Sequence, residues 1–169
     1  MSIHTFTRIK QSTMDNISRL QNAIRSGDKK EFDALIEKDL SLIDQADARG
    51  FTPLIISAYF NQHELLVELI AKGVDLNKKD GSGNTALMGA VFKGYTQIAD
   101  TLIKKGADLE EKNLNGATAL TYAAAYGKKD IIDLLLEAKA NTEVKDNQGL
   151  TPLEHAKVQG NKAYIEAVS

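Results

Sequence analysis

The chain has no cysteine. That absence excludes disulfides, thiolate zinc sites, a cysteine nucleophile and thiol redox chemistry, and it fits a reducing compartment. A basic run is missing too: 21 Lys and Arg against 23 Asp and Glu leave a net charge of −2, without the electrostatic footprint of a nucleic-acid binder. A polyanion is therefore not the expected partner. Long apolar stretches are also lacking. The opening MSIHTFTRIKQSTMD holds no segment of signal-peptide length, and nothing downstream is long enough to cross a bilayer, so a soluble, cytoplasmic protein without a membrane partner is expected. What is present is a chain of 169 residues, 43% of them hydrophobic, enough for one folded unit with a real core.

Gly50, Gly83, Gly116 and Gly149 stand 33 residues apart, and self-similarity at such a period marks a stacked repeat array. The register holds around each of them. Thr52, Thr85, Thr118 and Thr151 follow two places later, and Leu54, Leu87, Leu120 and Leu153 two places after those. Further on come Leu65-Leu66, Ile98-Ala99, Ile131-Ile132 and Tyr164-Ile165, then Leu69-Ile70, Leu102-Ile103 and Leu135-Leu136, spaced as one face of a helix. Thr52-Pro53 and Thr151-Pro152 read as a hydroxyl N-cap before a proline at the first helical position, where the missing N–H costs nothing. Asn61, Gly94, Gly127 and Gly160 fall eleven residues after the anchoring glycine, where the first helix is expected to stop on a left-handed residue. A second, amphipathic helix follows to about Ala71, Lys104 or Glu137, and Gly73 and Gly106 close it in the same way. Each unit is thus a helical hairpin plus a connecting turn such as VDLNKKDGSG or ADLEEKNLNG.

The segments GFTPL, GNTAL, GATAL and GLTPL, with KGVDLN and KGADLE downstream, resemble the ankyrin repeat over roughly residues 16 to 169. The resemblance implies an all-α solenoid of stacked helix-turn-helix units whose hairpin-like turns project at about a right angle, each unit burying its apolar face only against its neighbours. The expected division is a tail at 1–15, an N-terminal capping repeat at 16–46, full repeats at 47–79, 80–112 and 113–145, and a C-terminal capping repeat at 146–169. In the first cap Leu20, Ala23, Gly27, Phe32, Leu35 and Ile36 fill the repeat's places, with a turn two residues longer than the others. In the last, Lys157 takes the column of Ala58, Val91 and Ala124, which suits a wetted end face. Ile3, Phe6 and Ile9, at spacing three, are either a helical turn docked on the cap or part of a frayed tail.

Departures from the family pattern carry expectations of their own. The family's histidine, five residues after the glycine, is replaced by Ile55, Met88, Thr121 and Glu154, so its hydrogen bonds to neighbouring turns are expected to be absent. Lys139 stands where Gly73 and Gly106 do, and a non-glycine residue in the left-handed region costs about 1 kcal/mol. Gly89 lies inside a first helix, and Tyr122 holds the equivalent place one unit later; a Tyr122 ring resting on the bare Gly89 backbone would account for both.

Chemistry is sparsely represented. The three histidines are scattered in the register, with His4 in the tail, His63 opening a second helix and His155 in the last unit, so no nucleophile with its base and no metal cluster is assembled. Glu110 and Glu111 lie in a turn and are expected to be solvated. GSGNT at 81 to 85 is a repeat turn without the strand and lysine of a phosphate loop. No cofactor is expected.

What the resemblance implies instead is recognition of another protein on the concave side, through the turn tips and the ends of the first helices. Those places hold Arg49, Phe51, Ser82, Asn84 and Asn115 around the glycines, and Tyr59, Phe60, Phe92, Lys93 and Tyr126 at the helix ends. Five of the ten aromatics in the chain fall here, beside Arg49 and Lys93, and aromatic anchors next to arginine make interface hot spots. The competing reading is that a ring at a helix end lies against the next unit and merely covers the core. The expected protein is a monomeric, non-enzymatic inhibitor, adaptor or chaperone-like partner. Richness in Lys and Ile without cysteine looks like the small free-standing bacterial members of the family, some of which serve as immunity or accessory partners of enzymes and toxins. An enzyme or small-ligand binder with a pocket hidden from the repeat is the alternative of another class.

Overall fold

A computed structural model of the protein describes the backbone of residues 3–169 and the side chains of residues 14–169. α1 (Ile3–Ser26) and α2 (Lys29–Lys38) form the first hairpin and a 3-10 turn at Leu40–Asp44 follows. Then come α3 (Pro53–Tyr59) with α4 (His63–Ala71), α5 (Ala86–Lys93) with α6 (Thr96–Lys104), α7 (Ala119–Tyr126) with α8 (Lys129–Glu137), and α9 (Pro152–Gln159) with α10 (Lys162–Ala167). Among the described residues there is no strand. α1 runs unbroken through residues 15 and 16, the expected junction of tail and cap. The side chains of Ile3, His4, Phe6 and Ile9 lie outside the described residues.

The threonine caps form as their spacing predicts. Thr52, Thr85, Thr118 and Thr151 each accept a hydrogen bond from the N–H three residues on, satisfying a donor that the first turn leaves orphaned. Thr118 and Thr151 go further, since the side chains of Thr121 and Glu154 reach back to the cap N–H and complete capping boxes. In two units the residue that displaced the family's histidine therefore closes its own helix.

Asn61, Gly94 and Gly160 are left-handed, with φ of 57°, 73° and 70°. Gly127 is not: it sits at φ −72°, ψ 155°, which corrects the expectation. In the three left-handed links the next N–H folds back onto the first helix, from Gln62 to Ser57, Tyr95 to Ala90 and Asn161 to Ala156, as in a Schellman cap. Around Gly127 the Asn161 side chain, from the following unit, donates to the carbonyls of Ala123 and Gly127 at 3.2 and 3.3 Å. A side-chain amide from the next unit thus donates to both carbonyls at this link, beside the Gly127 N–H that also reaches Ala123. Lys139 is left-handed as expected, at φ 64°.

The first helices α1, α3, α5, α7 and α9 pack in one row, and α4, α6, α8 and α10 in a second. Between the rows Phe32, Leu54, Leu66, Leu87, Leu102 and Leu135 belong to one continuous core, each at most 2% exposed. Each such side chain contributes about 1.5–3 kcal/mol on burial. The turns form a separate ladder. Asp47, Asp80, Asn113 and Asp146 each accept, on one side-chain oxygen, the N–H groups two and four residues ahead. Neighbouring turns are tied by Gly81 N–H to the Arg49 carbonyl, Leu114 to Ser82 and Asn147 to Asn115. Glu110 is solvent-exposed and Glu111 partly so, as expected for a turn, yet both also tie neighbouring turns: Glu110 accepts the Asn141 N–H at 2.8 Å, and Glu111 pairs with Lys79 at 2.6 Å.

Candidate functional site

The expected partner-binding residues lie in the turn tips and at the carboxyl ends of α3, α5 and α7, positions here called the inner face. Their environments differ. Phe60 just past the end of α3, Phe92 in the last turn of α5 and Tyr126 at the end of α7 are exposed by 48%, 53% and 60%. Tyr59 and Phe51 are half-buried and meet edge to face, with ring centroids 5.9 Å apart. Phe92 meets Tyr122 in the same way at 5.9 Å. Arg49 stacks over the Phe51 ring at 5.0 Å, and Lys93, Ser82 and Asn115 are exposed. Asn84 is half-buried and engaged, its side-chain oxygen accepting from the Asn113 amide at 3.0 Å and from the Tyr122 hydroxyl at 3.3 Å.

The ring that rests on Gly89 belongs to Tyr59, not Tyr122. A Cβ at Gly89 would lie 2.6 Å from Tyr59 Cε2 and 2.8 Å from Cδ2. Tyr59 comes from the preceding unit and leans forward onto α5. Tyr122 instead reaches the turn of its own unit, where its hydroxyl accepts from the Asn113 amide at 3.0 Å. Burial, and after it the Asp80 carboxylate, pushes the Tyr59 phenol up; burial likewise raises that of Tyr122, opposed by the Asn113 hydrogen bond.

Two small cavities open on this face. One of about 200 Å³ is lined by Arg25, Arg49, Phe51, Ile56, Tyr59 and Phe60. The other, of about 260 Å³, lies between Tyr122, Tyr126, Asn115, Gln148 and the pair Asp146–His155. His155 Nε2 meets Asp146 Oδ2 at 2.7 Å. Burial works against the Asp146 charge, yet the N–H of Leu150, the His155 ring and the N–H of Gln148 together hold its carboxyl below the usual range. Nearby Thr121 is buried and committed to its capping box, so the pair has no free hydroxyl there to activate. His63 lies apart, bonded to Thr101 Oγ1 at 2.9 Å. Among the described residues no group of three His, Asp or Glu side chains is placed to hold a metal ion, and no helix is long and apolar enough to cross a membrane.

Arg25 escaped the sequence reading although its signal was available. It stands two places before left-handed Gly27, as Tyr59 stands before Asn61, Phe92 before Gly94 and Val158 before Gly160. Counting from these helix ends, rather than from the anchoring glycine that the cap lacks, brings Arg25 into the partner column. Its guanidinium lies 5.9 Å from the Phe60 ring centre.

A family model for ankyrin repeats (3 copies) matches residues 20–113 and 102–168. The chain belongs to the ankyrin-repeat family, whose members are in general protein–protein interaction modules and typically not enzymes. No curated protein sequence matches it.

Proposed function

We propose that the protein is a non-enzymatic binding module that holds another protein on its inner face, acting as an inhibitor, adaptor or chaperone-like partner. The observation that carries this reading is the exposure of Phe60, Phe92 and Tyr126 on one side of three successive units. A ring whose work is to pack on its neighbour lies against it, as Tyr59 does on Gly89; about half of each of these three rings' surfaces meets solvent and is open to a partner. Arg49 stacked on Phe51 adds a guanidinium held in place at little entropic cost. The units at 47–79, 80–112 and 113–145 form this surface, between capping repeats at 16–46 and 146–169. An immunity or accessory role for a bacterial enzyme would use the same face. The Asp146–His155 pair is the place where an enzymatic reading would have to begin, and its partners are those of a turn brace. Alanine at Phe60, Phe92 and Tyr126 together is expected to abolish partner capture by protein that remains folded.

A further inference from the structure

Two arginines meet at the amino-terminal end of the inner face, and their charge is only partly answered. Arg25 bonds to the side-chain oxygens of Asn22 and Gln21 at 3.1 and 3.4 Å, both neutral. Arg49 has one long contact, 3.4 Å to Asp47 Oδ2, with its side chain 68% exposed. The other Asp47 oxygen accepts the N–H groups of Arg49 and Phe51. Arg49 thus shares its carboxylate with the backbone, and the side-chain partners of Arg25 are neutral. Each guanidinium is held against a ring, Arg25 on Phe60 and Arg49 on Phe51, so their remaining N–H groups are presented at the mouth of the same cavity of about 200 Å³. Planar guanidinium edges of this kind recognise carboxylates.

Arg49 is also the wall of another cavity. A second space of about 240 Å³ that it borders is lined by Met14, Ile17, Ala46, Ala48 and Asp47. A partly answered cation therefore borders two small, largely apolar hollows, each with room for one side chain. A segment that crosses here and continues in both directions fits this arrangement better than a chain end, which would fill one hollow and leave the other open.

We propose that this end of the inner face holds an internal acidic segment of the partner protein, with an Asp or Glu carboxylate between Arg25 and Arg49 and an apolar side chain on either side of it in the two cavities. This rests on the inner face being the partner-binding face, and it adds the chemistry that the partner must present. Further along the face, Phe92 and Tyr126 supply apolar contact.

The test uses fluorescein-labelled peptides of sequence Ser-Leu-X-Phe-Ser, acetylated and amidated, with Glu, Gln or Lys at X, titrated with the full-length protein by fluorescence polarisation. The Glu peptide is expected to bind at least about tenfold more tightly than the Gln peptide and to weaken as salt rises, with the Lys peptide weakest. Arg25→Met and Arg49→Met should each reduce the Glu peptide towards the Gln level and leave the Gln peptide unchanged. Equal binding of Glu and Gln peptides to the parent protein overturns the proposal, as does failure of the Glu peptide to saturate by about 1 mM. Tighter binding of Ser-Leu-Phe with a free carboxylate assigns the site to a chain terminus and overturns the internal segment. Capture of the native partner separates this proposal from the one it rests on. If the Arg25→Met, Arg49→Met protein captures as the parent does while the triple aromatic variant does not, the acidic anchor is wrong and the binding face stands; if both variants capture normally, both are wrong.

Discussion

Leucine at Gly89 is expected to destabilise the protein by about 1–3 kcal/mol, although leucine is the far better helix former. Gly89 is buried in the middle of α5, and exchange of a helical glycine for alanine in open space gains about 1 kcal/mol. Here the space is taken. The new Cβ would sit 2.6 Å from Tyr59 Cε2 and 3.2 Å from Cζ, against a normal carbon–carbon contact of about 3.5–4.0 Å. The ring must yield by roughly 1 Å, and its escape is hindered by Phe51, packed edge to face at 5.9 Å. Urea unfolding of Gly89→Ala and Gly89→Leu should be compared in the parent and in a Tyr59→Ala background, forming a double-mutant cycle. With the ring removed, Gly89→Ala should turn stabilising by up to about 1 kcal/mol; with the ring present it should be neutral or destabilising. If Gly89→Ala stabilises both backgrounds equally, the ring moves aside freely and does not explain the glycine.

Lys139→Gly should raise the urea midpoint by an amount equivalent to about 1 kcal/mol, because Lys139 is left-handed at φ 64° and exposed; an unchanged or lowered midpoint contradicts this. Tyr164→Phe should stabilise by about 1 kcal/mol, since the Tyr164 hydroxyl is buried without a hydrogen-bond partner. The same substitution has a pH signature. Burial, with a smaller effect of Glu143, pushes the Tyr164 phenol up to about 12, so the folded chain keeps a proton that the unfolded chain releases near pH 10. Stability from this group is complete below pH 10 and is lost as pH rises through 12; the parent should therefore weaken more steeply than Tyr164→Phe over that range, and parallel curves would contradict it.

The repeat was legible because each element of its period has a local physical reason: a hydroxyl before a helix, a glycine where φ is positive, a pair of apolar residues at helical spacing. Features decided between units were not. Gly127 has the residue type of a left-handed cap, but Asn161, 34 residues further on, supplies its carbonyls with donors and removes the need. Which tyrosine covers Gly89 depends on the direction in which one unit leans on the next, and the spacing of residues does not carry that direction. The acids of ADLEEKN look solvated in isolation; only the adjacent turns show what Glu110 and Glu111 hold. The column of Asp47, Asp80, Asn113 and Asp146, three places before each glycine, was by contrast readable, since a short side chain accepting two N–H groups is a local turn device. The candidate binding residues were found by column, and the column alone does not tell an exposed ring such as Phe60 from one that lies flat on its neighbour, such as Tyr59.

The most direct test of binding on the inner face compares two triple variants in partner capture from the native host, with captured protein identified by mass spectrometry. One carries Phe60→Ala, Phe92→Ala and Tyr126→Ala. The other carries Glu64→Ala, Asp100→Ala and Asp133→Ala on the second helices, where Asp100 and Asp133 have only i, i+4 ion pairs with Lys104 and Lys129. Truncation of a buried interface aromatic commonly costs about 2 kcal/mol or more, so three should remove capture altogether. The expected result is loss of the partner from the aromatic variant alone, with circular dichroism and melting close to those of the parent. A folded aromatic variant that still captures the partner as well as the second-helix variant does would contradict binding on this face, and an aromatic variant that unfolds would show that the three rings belong to the core.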